Sequence, residues 1–453
     1  MADLKIETNY IPLGLDVIPE KEGMAIGDTP AVNSTPVSIE GNIGGVMAGG
    51  VLQSSNYVAG ISGWKIDANG DIDFKSGDFA GKRIVTISTG YDIQKAINSI
   101  NDAGGGIIYF LPGTYTLSGN LTLYTNIILE GVSVKDCILD FNSQDYSIDI
   151  FGATADQNND MGFGGLVNLT VKNATAQNVH IRDVKNLIIN GCIFKDTSVN
   201  HILADRVKQT KIINCHFENT TRAGSYGIRF ENVQAILSIN GCYFENLQYA
   251  IHGVDGIVTD CEIYNCDFGV YDPLNWLTID GNLINYCDDH AIYGRNCSLI
   301  ISNNRLFING TVATTGQIYI YNNGSIGSVI SGNYFKNTNG YNILLSSAYE
   351  VSITGNTHRP ASNDREFIKM VYADHNVITG NVTKGTANYD GILLQNSNNN
   401  VISGNKITDY AQYGISIESG CDRNIVLGNN LNPNTVGAIE NNGTNTEIGY
   451  NIE

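Results

Sequence analysis

The chain has 453 residues and a hydrophobic content of 42%, which is enough for one large solenoid or for two to three compact domains. Its 26 Lys and Arg residues stand against 45 Asp and Glu residues, and the formal charge of -19 argues against binding to nucleic acid or to an anionic membrane surface. No apolar run approaches the roughly 20 residues of a membrane span, and the stretch MADLKIETNY lacks the basic and apolar regions of a signal peptide. The 50 Gly and 24 Tyr residues predict many short strands joined by tight turns.

Residues 1–85 are rich in Gly and Ser and contain only short alternating runs, so they bury little on their own. Within them, SSNYVAGISGWKIDANGDIDF resembles a module that is frequent in tail and fibre proteins of bacteriophages and prophages. There it precedes a variable receptor-binding or enzymatic domain. The resemblance implies that residues 1–85 are an attachment segment. It also implies that the protein is located on a virion tail, or outside the cell without a signal peptide.

Residues 91–117, YDIQKAINSINDAGGGIIYFLPGTYTL, predict an amphipathic helix that ends at three glycines and is followed by a strand. Such a helix is expected to cap the open end of a solenoid. This stretch, together with NIILEGVS, resembles the start of the pectate-lyase-like right-handed β-helix family. The family includes polysaccharide lyases, hydrolases, C5-epimerases and phage tailspikes, so the resemblance implies a fold more strongly than a reaction.

From residue 189 onward a short phrase of the form INGCIF or ISGNYF recurs every 19 to 29 residues. Each interval holds about three short strands, which is one coil of a parallel β-helix. We therefore predict an all-β, single-stranded right-handed parallel β-helix of about 11 to 13 coils over residues 86–453. Its stacked Asn side chains are expected to form a hydrogen-bonded ladder, and the Cys side chains to be buried reduced thiols. The aligned positions are Cys192, Cys215, Cys242, Cys261, Asn282, Asn304, Asn333, Asn356, Asn381, Asn405 and Asn429.

The strand that follows each phrase has alternating inward and outward residues, and one outward position forms a distinctive column. Aromatic faces stack on sugar rings, and interleaved Arg and carboxylate groups bind sugar hydroxyls or uronates, so this column predicts a carbohydrate groove. The alternative is that the Tyr residues stack only because β-sheets favour aromatic neighbours. The column reads His180, Leu203, Arg229, His252, Tyr271, Tyr293, Tyr319, Leu344, Lys369, Leu393 and Ser416, flanked by Arg182, Asp205, Glu231, Asp255, Asp272 and Arg295.

The stretch FGVYDPLNW interrupts this pattern, because Pro273 removes a strand hydrogen-bond donor. We expect the strand to end at Tyr271 and the Asp272 carboxylate to turn toward the groove. The stretch also resembles the Asp-Pro-His-Glu motif of mannuronan C5-epimerases. It departs from that motif at Leu274 and Asn275, so only the aspartate carries over, unless His252 replaces the missing histidine.

Three functions follow from these residues. In a polysaccharide lyase or C5-epimerase, Tyr271 or His252 takes the proton beside a uronate carboxyl, Arg229 or Arg295 neutralises the developing charge, and Tyr293 donates a proton. Substrate contacts are expected from Glu231, Asp255, Tyr319, Asp205, His180 and Arg182. In a glycoside hydrolase, two of Glu231, Asp255 and Asp272 act as the carboxylate pair instead. In a receptor-binding β-helix, the same column recognises a glycan without turnover.

The expected partner is a polysaccharide, and a homotrimer is possible through the N-terminal segment or the flanks of the β-helix. No motif requires a cofactor or a metal, although calcium remains possible. The stretch DANGDIDF lacks the full spacing of a calcium loop, and we interpret it as a turn. Asp288, Asp289 and His290 are metal-ligand types, but we interpret them as solvated residues of the turn before Ala291.

Overall fold

The computed structural model describes residues 84–453 except 125, 153–163, 232–236, 311–314, 323–326, 337, 361–363 and 386–387. Before residue 84 it describes only the backbone of short strands, so most of the predicted attachment segment and the turn at 67–71 lie outside the described residues. The chain divides into two compact units, Met1–Leu111 and Pro112–Glu453. Among the described residues, no helix combines the length and the apolar character needed to cross a membrane.

In the described part of the first unit, six short strands precede the helix and a seventh follows it. Four strands form an antiparallel sheet in chain order, Gly45–Ala48, Val51–Ser54, Trp64–Ile66 and Ile72–Phe74. Ser76–Phe79 pairs antiparallel with Lys82–Ile87, which pairs in parallel with Gly106–Phe110.

The predicted amphipathic helix spans Ile93–Asp102. Its N-cap is Asp92, whose carboxylate accepts a 3.0 Å hydrogen bond from the Lys95 backbone N–H. The predicted apolar face is buried, and Gly104 and Gly105 follow the helix with φ values of 87° and 108°. These left-handed conformations suit glycine and end the helix where the sequence predicted.

The second unit is a right-handed parallel β-helix in which each complete turn contributes one strand to each of three parallel sheets. The third sheet has 14 strands. The prediction of about 11 to 13 coils was based on the repeated phrase, which the earliest turns lack. The first sheet contains Ile127–Gly131, Gly165–Val167, Ile188–Asn190, Lys211–Ile213, Leu237–Asn240, Gly256–Thr259, Trp276–Asp280, Ser298–Ser302, Ser328–Ser331, Val351–Thr354, Val377–Thr379, Val401–Ser403, Ile425–Leu427 and Glu447–Gly449. The second contains Gly113–Thr116, Cys137–Gln144, Thr170–Ala174, Ile193–Lys195, His216–Glu218, Tyr243–Glu245, Glu262–Tyr264, Leu283–Asn285, Arg305–Phe307, Tyr334–Lys336, Thr357–Arg359, Val382–Lys384 and Lys406–Thr408. The third contains Leu121–Leu123, Ile148–Phe151, Gln177–Arg182, Asn200–Asp205, Tyr226–Glu231, Tyr249–His252, Phe268–Tyr271, His290–Arg295, Gly316–Tyr321, Tyr341–Ser346, Ile368–Val371, Ile392–Gln395, Tyr413–Ile417 and Gly437–Asn441.

The core of the β-helix consists of side chains stacked along its axis. Phe194, Phe217 and Phe244 are fully buried, and their rings stack at centroid distances of 5.0 and 4.8 Å. Buried Ile, Leu and Val residues fill the other inward positions, because successive strand residues alternate between the interior and the solvent. The four aligned cysteines are also buried, and burial raises the pKa of the Cys215 thiol well above its usual value.

The Asn ladder predicted from the repeats is present. The Asn356 side-chain amide donates to Asn381 Oδ1 at 2.9 Å, and its own Oδ1 accepts from the Asn333 amide at 3.0 Å. The same contact links each neighbouring pair from Asn282 to Asn451. The ladder thereby pairs buried polar groups that would otherwise oppose folding. A second, shorter ladder through Asn376, Asn400 and Asn424 was not predicted.

Candidate functional site

The third sheet carries the column that the sequence singled out, although its members Leu344, Leu393 and Ser416 are buried and do not face solvent as predicted. The strand register places its residues directly opposite one another in consecutive turns and in the predicted order. The rings of Tyr271 and Tyr293 stack at 4.8 Å, and Tyr293 meets Tyr319 edge to face at 5.3 Å. Arg229 and His252 precede these three tyrosines in the two preceding turns. We call these five residues, together with their equivalents in the other turns, the first column.

A second column of side chains lies on the same sheet, three residues before the first column in each strand. Tyr226, Tyr249, Phe268 and His290 occupy it in four consecutive turns. The rings of Tyr226 and Tyr249 stack at 4.7 Å, and those of Tyr249 and Phe268 at 4.9 Å. The two columns together form one aromatic surface, which we call the aromatic face.

An irregularity in each strand explains why strict alternation did not predict the second column. The residue between the two columns is small and buried in these four turns, and the next residue is buried as well. A Cβ on Gly227 would lie 2.5 Å from the Ala250 carbonyl oxygen, and one on Gly269 would lie 2.4 Å from the Ala291 oxygen. Two consecutive buried residues put the outward positions three residues apart instead of two. The second column could have been found in the sequence, because each of the four strands contains an aromatic ring followed by a small residue and a β-branched residue.

The third sheet is narrower at the two turns of His252 and Tyr271. Their strands end at the first column, whereas the strands on either side continue for two more residues, to Glu231 and Arg295. Gly253 and Asp272 directly follow these two shortened strands, and their φ values of 72° and 51° begin the bend out of the sheet. The predicted end of the strand at Tyr271 is therefore observed. A positive φ recurs at this turn in other coils, for example at Asp183, Asn296, Asn322 and Ser347, so the unusual feature of Asp272 is its position and not its backbone conformation.

Two ion pairs border the narrow part of the sheet. Arg295 Nη2 donates a 2.7 Å hydrogen bond to Asp272 Oδ2, and Arg229 Nη2 lies 2.7 Å from Glu231 Oε1. The Arg229 guanidinium also lies over the Tyr226 ring, 5.0 Å from its centroid. Arg295 is half exposed and keeps further N–H groups that can reach a ligand.

His252 lies between these ion pairs and has an unusual electrostatic environment. Burial lowers the pKa of its imidazole, and the Arg229 charge lowers that pKa further, while Asp272 and Glu231 raise it. Its Nδ1 atom is buried and has no hydrogen-bond partner among the described residues. The ring stacks on Tyr271 at a centroid distance of 5.6 Å. At neutral pH His252 is therefore a neutral imidazole, and its buried Nδ1 atom is not bonded to any described residue.

The pKa values of the neighbouring phenols, Tyr271 and Tyr293, are raised, whereas that of His252 is lowered. Burial raises the pKa of Tyr271, and the Asp272 carboxylate raises it further. Burial and the adjacent Tyr271 raise the pKa of Tyr293 to about 12. Both phenols are therefore protonated at neutral pH, so of the predicted pair only the His252 imidazole is in a state that can accept a proton.

The structure places the predicted substrate-binding residues in different surroundings. Tyr319 lies in the first column, and burial raises the pKa of its phenol. His180 belongs to the same column three turns before His252, which corresponds to about 14 Å along the axis. Asp205 pairs with Arg206 at 2.7 Å, and Arg182 lies 4.5 Å above the Phe151 ring. These last residues line the same sheet but lie outside the narrow part.

Asp255 is a correction to the predicted site. Its side chain is buried, with 3% exposure, and does not flank the first column. Its two carboxylate oxygens accept 2.7 and 2.6 Å hydrogen bonds from the Asn275 backbone N–H and side-chain amide. The early turn after His252 directs Asp255 toward the segment after Pro273, where it holds the backbone in place. Asp255 therefore has a structural role and is not available to a substrate.

Further along the same columns, acidic side chains replace the aromatic ones, and sequence reasoning missed them. Glu366 and Asp390 continue the second column in consecutive turns, and Lys369 and Ser416 belong to the first column. Burial raises the pKa of Glu366. Burial, followed by the charges of Glu366, Glu440 and other carboxylates, raises the pKa of Asp390 to about 6.

Two members of the triplet Asp288, Asp289 and His290 contact other residues. Asp288 pairs with Arg222 at 2.5 Å, and His290 Nδ1 is close to the Gly316 backbone, at 2.9 Å from its carbonyl oxygen and 3.2 Å from its nitrogen. Asp288 and His290 thus have their own contacts, and His290 contributes its ring to the aromatic face.

Three family models match separate parts of the chain. Residues 90–293 match the model described as rhamnogalacturonase A/epimerase, pectate lyase-like, and residues 317–452 match that of the periplasmic copper-binding protein NosD. Residues 31–90 match the model of a bacteriophage tail tip fiber protein. No curated protein matches the chain in sequence.

Several solved structures resemble the chain at low sequence identity. Tailspike protein 3 of bacteriophage CBA120 has 13% identity and a TM-score of 0.53, with 84% of this chain and 60% of that chain covered. A mutant tailspike protein of E. coli bacteriophage HK620, in complex with a pentasaccharide, has 14% identity and a TM-score of 0.56, with 78% and 75% covered. The Azotobacter vinelandii mannuronan C-5 epimerase AlgE6 A-module has 16% identity and a TM-score of 0.36, with 80% and 93% covered.

The chain spans about 60% of the length of the CBA120 tailspike. At these identities the tailspike structures establish a shared architecture. The strand topology, the pectate-lyase-like match and the tailspike superpositions together show that the chain has the pectate-lyase-like right-handed parallel β-helix fold.

Proposed function

We propose that the protein is a carbohydrate-active, tailspike-like protein that binds and degrades or modifies a bacterial or uronate-containing polysaccharide. The aromatic face supports this, because its partly exposed rings extend over at least four turns and present a continuous row of ring edges to a sugar chain. The HK620 tailspike, which shares the fold, was solved with a pentasaccharide bound. The tail-fibre match at residues 31–90 supports a location on a virion tail, with residues 1–85 as the attachment segment.

The proposed reaction is abstraction of the proton beside a uronate carboxyl, as in polysaccharide lyases and C5-epimerases. The observation that carries it is the neutral His252 imidazole, which lies between the Arg229 and Arg295 ion pairs and stacks on the protonated Tyr271. His252 accepts the proton, and Arg229 or Arg295 stabilises the negative charge that develops on the carboxyl group. In a lyase the bond to the leaving oxygen then breaks, Tyr293 protonates that oxygen, and a carbon–carbon double bond remains in the sugar. In an epimerase a phenol returns a proton to the opposite face of the same carbon.

Glycoside hydrolysis is the second candidate, with a different set of carboxylates from the one predicted. Asp255 is buried and bonded, which leaves Glu231 and Asp272 from the predicted set. Asp390, with a pKa raised to about 6, and Glu366 in the adjacent turn form another carboxyl pair. A raised carboxyl pKa is what a general acid needs near neutral pH. In the third candidate, a receptor-binding module, the same face binds glycan without turnover.

A panel of bacterial exopolysaccharides and polyuronates separates these candidates. Incubation with a lyase produces new ultraviolet absorbance from the unsaturated uronate together with shorter chains. A hydrolase shortens the chains without that absorbance, and an epimerase changes the sugar stereochemistry at constant chain length. A polysaccharide that binds to the protein but shows none of these chemical changes would assign the receptor-binding function instead.

A homotrimer through the flanks of the β-helix, or through the N-terminal segment, is part of the proposal. Its support is a stripe of exposed apolar residues on the first sheet, at Ile257, Ile300, Val329 and Val377, with exposures between 37% and 48%. These residues belong to one column, because the strand register aligns them across the turns. Sedimentation of the parent and of Ile300→Lys tests it. A trimer that is lost in the variant supports the flank, and an unchanged trimer assigns assembly to the N-terminal segment.

A further inference from the structure

The second sheet carries a group of ligand-type side chains that the proposed reaction does not use. His216 and Glu218 are two residues apart on one strand and therefore point to the same face. Glu245 lies directly opposite Glu218 in the next turn, just as Tyr243 lies opposite His216. This group is on a different sheet from the aromatic face, so it is separate from the candidate site.

The three side chains converge. One ligand atom from each of His216, Glu218 and Glu245 lies within 4.8 Å of the others, and they are the only His, Cys, Asp or Glu group of this kind within the part of the chain that the structure describes. His216 Nε2 lies 3.2 Å from Glu218 Oε2. That nitrogen is buried and forms no hydrogen bond to any described residue, despite the nearby carboxylate.

Neighbouring residues hold this group in place. The Tyr243 hydroxyl donates a 3.2 Å hydrogen bond to Glu245 Oε2, and its ring meets the His216 ring edge to face at 4.8 Å. A carboxylate oriented by a second residue is typical of metal ligands, because the outer contact fixes the direction of the ligand oxygen.

We propose that His216, Glu218 and Glu245 bind one Zn²⁺ ion on the outer surface of the second sheet. One imidazole nitrogen and two carboxylate oxygens suit a borderline ion such as Zn²⁺, which accepts three protein ligands and a water molecule. Ca²⁺ fits less well because it prefers six to eight oxygen ligands. The ion joins two consecutive turns through Glu218 and Glu245 and gives the unpartnered His216 nitrogen a partner.

Lys195 is the competitor for this site. Its ammonium forms an ion pair with Glu218 from the preceding turn and supplies the positive charge that Zn²⁺ would replace. The ammonium must therefore leave the carboxylate when the ion binds. Removal of the ammonium should strengthen metal binding if the three residues are ligands, whereas it only removes an ion pair if they are not.

Calorimetric titration of the chelator-treated full chain with ZnCl2 tests the site. The parent is expected to bind one Zn²⁺ at this site, with a rise in the thermal unfolding midpoint. His216→Ala and Glu245→Gln should weaken binding by at least about tenfold, because even a residue that only orients a ligand contributes about 10- to 100-fold to affinity. Lys195→Met should tighten it.

The matched control is His375→Asn, since His375 is an exposed histidine in another part of the β-helix, and asparagine tolerates its φ of 61°. This variant should bind Zn²⁺ like the parent. The proposal is overturned if the parent binds no Zn²⁺, if His216→Ala and Glu245→Gln bind it as tightly as the parent, or if Lys195→Met weakens binding. A misfolded variant cannot imitate the expected gain of Lys195→Met.

Discussion

Arg295 donates a hydrogen bond of 2.7 Å to the carboxylate of Asp272, and the two residues come from adjacent turns of the third sheet. The bond forms because the strand before Asp272 ends at the first column, whereas the strand of Arg295 continues for two more residues. The pair therefore connects the narrow part of the sheet to its wider continuation, beside the unpartnered nitrogen of His252.

Asp272→Asn should lower the rate on the polysaccharide substrate by at least about a hundredfold while the fold is preserved, because it removes the charge that orients Arg295 but keeps the side-chain size. Steady-state kinetics and circular dichroism measure the two effects. Asp260→Asn is the control, since Asp260 is a turn aspartate with positive φ like Asp272, but it is exposed and lies away from the third sheet. Equal rates for both variants would show that Asp272 only forms a turn.

The two columns predict different responses to loss of a tyrosine. Tyr271→Phe keeps the ring, so it should lower kcat if the phenol moves a proton and leave KM nearly unchanged. Tyr249→Leu removes a ring that stacks on Tyr226 and Phe268, so it should mainly weaken glycan affinity. Tyr264→Phe on the second sheet is the control. A kcat unaffected by Tyr271→Phe would assign that ring to stacking alone.

The pH dependence of the rate should report His252. Burial and Arg229 lower its pKa, so the acid limb of the kcat/KM profile should lie below pH 6.5, the usual midpoint of a free imidazole. Arg229→Gln removes a positive charge and should move that limb to higher pH. His252→Gln should abolish the limb together with most of the activity, whereas His375→Asn should change neither. A limb that stays in place in Arg229→Gln would contradict the assignment of His252 as the base.

Asn356 is the test of the ladder. Its side chain is fully buried and connects Asn333, Asn381 and the Ile330 carbonyl, so Asn356→Ala leaves several buried groups without partners. Each such group costs about 1–3 kcal/mol, and a loss of about 3 kcal/mol or more in unfolding free energy is expected. Urea unfolding measures it. Asn98→Ala, on the exposed side of the helix, should change the unfolding free energy by no more than about 0.5 kcal/mol. A similar loss in both variants would disprove the ladder's role.

His201 predicts how stability depends on pH. Burial lowers its pKa to about 3, whereas an unfolded histidine titrates near 6.5. Between these values the unfolded chain binds a proton that the folded chain does not, so this contribution falls as the pH falls, by about 1.4 kcal/mol per pH unit. His201→Gln should therefore reduce the difference in unfolding free energy between pH 6.5 and pH 5 by about 2 kcal/mol. An unchanged difference would mean that His201 accepts a proton in the folded chain.

The sequence predicted the features that recur in every turn. The first column and the Asn ladder follow from residues repeated at each turn, because a parallel β-helix stacks equivalent positions. It did not predict the second column, since two consecutive buried residues, such as Gly227 and Ile228, break the period of two. Asp255 was assigned wrongly because its partner, Asn275, belongs to the next turn and approaches it only through the early turn after His252.

The repetition of the aromatic face has a consequence for any polymer that lies along it. Rings recur at intervals of about 4.8 Å in two columns, so a bound chain displaced by one turn meets a chemically similar surface. The free energy of binding then changes little between neighbouring positions, and the barrier to lateral diffusion is low. Arg229, His252 and Asp272 interrupt this repetition, so under the proposed function a glycan slides along the aromatic face until a susceptible unit reaches these residues.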